Sequence, residues 1–124
     1  MSEQTENLAL AELERVLKIM ESYIQSCPLY DVVRSDKFGY LLISMPAADV
    51  IDDAEVTQLD CAETLLHELF TNLCYDFMEQ EGHCEDYTDA TALELRELRV
   101  WMRPYMDQLP EYQYILDAIL SEKK

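Results

Sequence analysis

Between Leu29 and Met45 the apolar pattern of the chain changes period, and that change restricts the folds open to it. "LYDVVR" (29–34) and "YLLISM" (40–45) are rich in Val, Ile, Leu and Tyr, and "SDKFG" joins them with Gly39 placed for a positive-φ turn position. Two such runs around a short turn predict an antiparallel hairpin. On either side the period returns to that of a helix. Leu10, Leu13, Val16, Leu17, Met20, Tyr23 and Ile24 recur at three- and four-residue spacing and predict a helix from Thr5 to Ser26, ending before Pro28. Asp60 and Glu63 have the form of an N-cap with its N3 acid ahead of Ala62, Leu65, Leu66, Leu69, Phe70, Leu73 and Phe77, which predicts a second helix over 61–80 with Gly82 at its C-terminal cap.

The remainder follows the same logic. "HCEDYTD" (83–89) reads as an acidic connector, with Thr88 or Asp89 starting a third helix that runs to about Asp107 and turns Leu95, Leu98, Trp101, Met102, Tyr105 and Met106 inward. Pro104 inside that pattern predicts a kink or early break near Trp101. After "QLP", "EYQYILDAILSE" predicts a short closing helix. "MPAADVIDDAEVTQLD" (45–60) supports two readings: "EVTQL" as a third strand, or Pro46 and "DVIDDAE" as a loop or irregular edge. The expected fold is α+β, a single domain over 1–124. An N-terminal helix precedes a small antiparallel hairpin or three-stranded meander, and three helices then pack on the sheet.

Charge bears on partners rather than on fold. The 124 residues carry a net charge of −17, beyond the magnitude of roughly 2–8 that solubility asks of a small domain. Residues 1–37 contain seven acids and four bases, residues 38–95 fourteen acids and no base, and residues 96–124 five of each. The base-free run is 58 residues long. Its acids gather at Asp49, Asp52, Asp53 and Glu55, at the helix positions Glu63, Glu68, Asp76 and Glu79, and at Glu81, Glu85, Asp86 and Asp89. Like charges this dense repel one another in the folded state, a cost that a cation-rich partner would offset.

Proteins with cation-rich grooves mostly process nucleic acid, and carboxylates one helical turn apart are spaced by roughly 5–6 Å, comparable to successive phosphates along a strand. The expectation is therefore an acidic, non-enzymatic binding protein that occupies the nucleic-acid groove of a basic nucleic-acid-processing protein. Asp49, Asp52, Asp53, Glu55, Glu79, Glu81, Glu85, Asp86 and Asp89 form its contact surface, with Tyr75, Tyr87, Tyr112 and Tyr114 as aromatic anchors. The alternative is a structural or adaptor domain with an apolar interface and a merely solvated acidic face. Self-association stays open on either reading. Arg96, Arg99 and Arg103 lie on one side of the third helix; beside so acidic a segment they are expected to pair with acids of a neighbouring helix, and direct nucleic-acid binding is not expected.

Metal and reaction chemistry find little support. His67, His83 and the four cysteines form no C-x-x-C, no H-E-x-x-H and no EF-hand pattern, so neither a metal nor a cofactor is implied. Glu63 and His67, at i and i+4, have the spacing of an acid–base pair but also of an ordinary helix-surface contact. No Gly-rich phosphate loop or nucleophile elbow points to an enzyme. The opening segment is acidic and helical rather than signal-like, and no apolar run approaches a membrane span, so a cytoplasmic protein with reduced Cys27, Cys61, Cys74 and Cys84 is expected. In size, charge and order of elements the chain resembles the small acidic α+β proteins of phage that block nucleases or CRISPR effectors, the anti-restriction proteins, and bacterial immunity proteins against basic nuclease toxins. The likeness is one of architecture and carries over no residue.

Overall fold

The structure is a computed structural model that describes residues 3–45, 53–80 and 90–121, with side chains described from residue 9 onward. Its elements are α1 (Glu3–Ser26), β1 (Tyr30–Ser35), β2 (Gly39–Ser44), β3 (Glu55–Gln58), α2 (Ala62–Gln80), α3 (Ala92–Trp101), α4 (Arg103–Met106), a 3₁₀ turn (Pro110–Tyr112) and α5 (Gln113–Leu120). This is the α+β order expected. The chain divides into two compact units, 1–65 and 66–124, and α2 runs through the division.

In the first unit β1, β2 and β3 form an antiparallel meander in that order. The hairpin register runs from Tyr30 opposite Ser44 to Ser35 opposite Gly39. Gly39 takes φ 73°, the left-handed region that a side chain disfavours, and Ser35 Oγ accepts from the backbone N–H groups of Lys37 (3.2 Å) and Phe38 (3.1 Å) to close the turn. β3 settles the ambiguous stretch as a strand: Ile43 faces Val56 and Leu41 faces Gln58. Because strand side chains alternate, Val32, Tyr40 and Leu42 share one face and Val33, Leu41, Ile43 and Val56 the other. α1 lies against β1 and contributes Leu13, Val16, Met20, Tyr23 and Ile24 to the core, whereas Leu10, expected in the same stripe, is exposed.

In the second unit the apolar stripe of α2 is buried as its spacing predicts, through Leu69, Phe70, Leu73, Phe77 and Met78. α2 begins at Ala62, so Cys61 rather than Asp60 directly precedes the first helical residue. α3 starts later than expected. Thr91, not Thr88 or Asp89, is its N-cap: Thr91 Oγ1 accepts from Glu94 N–H (3.2 Å) and Glu94 returns a carboxylate oxygen to Thr91 N–H (3.1 Å), a complete capping box. The break foreseen near Trp101 occurs at Met102. Pro104 has no N–H to continue the ladder, and Met102 ends α3 while opening α4, its carbonyl accepting from Tyr105 and Met106. Leu98, Met102, Met106, Leu109, Ile115, Leu116, Ile119 and Leu120 are buried. Gly82 and the 83–89 connector lie outside the described residues, as do Pro46 and most of the 49–55 segment.

Candidate functional site

Of the nine carboxylates expected to form the contact surface, Asp53, Glu55 and Glu79 are described and all are exposed; Asp49, Asp52, Glu81, Glu85, Asp86 and Asp89 lie outside the described residues. Asp53 precedes β3 and Glu55 is its first residue, opposite Ser44 on the last strand of the meander. Every residue of β3 is exposed, Val56 by 62%. Asp53 and Glu55 therefore stand at a sheet edge.

Helix α2 arranges its acids differently. With Leu69, Leu73 and Phe77 drawn inward, one flank of the helix carries half-buried Glu68, Asn72 and Asp76 and exposed Glu79 as a stripe at four- and three-residue steps. The stripe extends roughly 16 Å along the axis at 1.5 Å per residue. Exposed Tyr75 lies beside it. Asn72 Nδ2 donates to Asp76 Oδ2 at 3.5 Å. The last turn of α2 holds no basic residue, so Glu79 sits at the negative end of the helix dipole, where a carboxylate is disfavoured by about 0.3–1 kcal/mol. Asp76 also acts on Tyr105, whose hydroxyl pKa is raised by burial first and by that negative charge second. Sequence spacing shows each of these acids but treats them as scattered; the stripe emerges only once the buried side of α2 is known.

Two aromatic anchors need revision. Tyr75 and Tyr114 are exposed as an interface would require, but Tyr112 is only 6% exposed at the end of the 3₁₀ turn, its ring centroid 6.4 Å from that of Tyr114. It is a core residue. Tyr87 lies outside the described residues.

The arginines behave in part as expected. Arg99 Nη1 donates to Asp117 Oδ1 of α5 at 2.7 Å, and that hydrogen bond holds the Asp117 carboxyl below the usual range against the opposing effect of partial burial. Gln113 Nε2 donates to the same oxygen at 3.2 Å. Arg96 and Arg103 have no ion-pair partner among the described residues.

Among the described residues no group of three or more His, Cys, Asp or Glu could hold a metal ion. Cys27, Cys61 and Cys74 carry no disulfide. Burial pushes the Cys74 thiol up to about 12, with the Arg99 charge acting the other way, so at neutral pH it is a protonated, inert core group. Cys61 Sγ lies 3.4 Å from Thr64 Oγ1 at the start of α2. Glu63 and His67 make no hydrogen bond to each other; the His67 carbonyl accepts from Thr71 Oγ1 at 2.7 Å. No helix among the described residues is long and apolar enough to cross a membrane. Comparison with protein families, characterised proteins and solved structures returns no match.

Proposed function

We propose that the chain is a non-enzymatic inhibitor of the cytosol that binds a basic, nucleic-acid-processing protein by presenting carboxylates where that protein receives phosphates. The observation that carries this reading is the α2 stripe. Glu68, Asp76 and Glu79 occupy one side of a helix with no cation in its last turn, inside a run of 58 residues without a base. A solvated surface under no constraint from a partner gains stability from interspersed Lys and Arg, through i, i+4 pairs and the helix dipole. This helix forgoes both. Asp53 and Glu55 add charge at the β3 edge, and a field of this strength would accelerate association and make it salt-sensitive.

The test is capture of partners by the tagged chain from nuclease-treated lysate, followed by elution with salt and with duplex DNA. A single basic nucleic-acid-binding protein released by both, and no longer captured by the Glu68→Lys/Asp76→Lys/Glu79→Lys variant, supports mimicry. A partner indifferent to salt and DNA overturns it.

One observation favours the adaptor alternative. The second face of the sheet exposes Val33 and Val56 next to Leu41 and Ile43, and a Val33→Ser/Val56→Ser variant that loses a salt-insensitive partner would assign the interface to that face.

A further inference from the structure

Arg96, Arg99 and Arg103 are the only basic residues between Lys37 and Lys123. All three line one groove of ≈ 600 Å³ formed by α3, α4, the 3₁₀ turn and α5. The break at Met102 matters here. It restarts the helix at Arg103, and the turn at Pro110 leads α5 along the opposite wall, so that Val100 and Pro110 supply exposed apolar surface over the buried Met106 and Leu116. Asp107 is the sole carboxylate among the lining residues.

The ordinary explanation for surface arginines in an acidic chain is pairing with nearby acids. It accounts for Arg99, which Asp117 holds at 2.7 Å with Gln113 bonded to the same oxygen. It does not account for Arg96 and Arg103, which have no ion-pair partner among the described residues although the chain contains 26 acids. Like charges three and four residues apart on a helix repel each other, so the trio is not explained by helix stability. An anion bound in the groove would offset the charge of the two arginines that no carboxylate among the described residues holds.

We propose that this groove binds a small organic oxyanion, a carboxylate or a phosphate monoester on an apolar body. Arg96 and Arg103 grip the charged head, while Val100 and Pro110 receive the body. Guanidinium forks suit both heads, since each offers oxygens for paired N–H donors. The volume lies within the roughly 300–1,000 Å³ of small-ligand pockets. Size is also restricted by charge: at −17 the chain repels an extended polyanion or a second copy of itself, whereas a small ligand within a Debye length of about 8 Å responds mainly to the guanidiniums beside it. This site is separate from the α2 stripe and does not depend on the proposed inhibitory function.

Trp101, the only tryptophan, sits in α3 beside Val100 and provides a fluorescence signal for titration, with calorimetry as the second readout. The probes are phenyl phosphate, benzoate, inorganic phosphate and a glutamate oligopeptide. Single-site saturation by phenyl phosphate or benzoate is expected, and whichever binds more tightly identifies the head group. Arg96→Gln and Arg103→Gln should each weaken that binding about tenfold with the circular dichroism unchanged. Val100→Ser should weaken binding of the aryl anion but not of inorganic phosphate. Absence of saturable binding by either aryl anion, affinity indifferent to both arginine variants, or tighter binding of the peptide than of both aryl anions would overturn the proposal.

Discussion

One flank of α2 presents Glu68, Asp76 and Glu79, whereas one side of α3 and α4 presents Arg96, Arg99 and Arg103. Beneath these opposite surfaces the construction is the same: α2 buries Leu69, Phe70, Leu73 and Phe77, and α3 with α4 buries Leu98, Met102 and Met106. Asp76 accepts from the neutral amide of Asn72, while Arg99 is held by the ionised carboxylate of Asp117. The difference teaches that the buried side of each helix decides the fold and tolerates either charge on the other side, so the choice of charge is open to selection by whatever meets it.

The largest effect is expected where the two helices are alike. Phe70→Ala removes a fully buried ring and should cost about 3–5 kcal/mol, measured by urea unfolding with the denaturant slope unchanged. A loss below about 1 kcal/mol would mean that the apolar side of α2 does not carry the fold, and the comparison would lose its common base. Next is the cap. Thr91→Ala leaves Glu94 N–H without its acceptor at the start of α3 and should cost about 1 kcal/mol, while Thr88→Ala should cost far less.

That cap also indicates how far the fold could be read from residues alone. The stretch "TDATALE" offers Thr88, Asp89 and Thr91 as caps, and only Thr91 has Glu at the third position after it, so the signal was present but competed with two others. The hairpin was legible because period, turn and Gly39 agree. Tyr112 was misread as an anchor since nothing local distinguishes it from Tyr114; Pro110 opens a 3₁₀ turn whose path brings Tyr112 inward. The arginine side of α3 was visible from spacing. Its groove was not, because the opposite wall comes from residues 110–116 and depends on tertiary packing. The carboxylate stripe was half legible, its residues known and its alignment not.

A smaller effect separates the ion pair from the rest. The folded-state pKa of Asp117 is depressed by Arg99, so the pair contributes stability above the ordinary carboxylate range and loses it as pH falls through the folded value. Both partners are substantially exposed, at 43% and 53%, and the contribution should stay under about 1 kcal/mol. Thermal unfolding of Asp117→Asn should be lower than that of the parent chain at neutral pH, with the two converging in acid. Tyr40 has the opposite sign. Its hydroxyl donates to Glu14 at 2.8 Å and its pKa is raised chiefly by that bond, so its contribution is present below the ordinary tyrosine range and is lost as pH rises through the folded value. Tyr40→Phe should abolish that alkaline loss.

The smallest change in stability should come from the substitution that most alters the surface. Glu68→Lys/Asp76→Lys/Glu79→Lys adds two charges at each position and takes the chain from −17 to −11. If the stripe exists for a partner, the fold should not depend on it: unfolding at moderate salt should shift by no more than about 0.5 kcal/mol. At low salt the variant should be the more stable, because repulsion among the acids falls and a cation now stands at the C-terminal end of α2. Added salt should erase that advantage, since screening relieves the parent chain more than the variant. Unfolding midpoints of both chains across a salt series measure this directly. A variant clearly less stable than the parent at every salt concentration would make the carboxylates structural, and α2 and α3 would then differ in how they are built as well as in what they present.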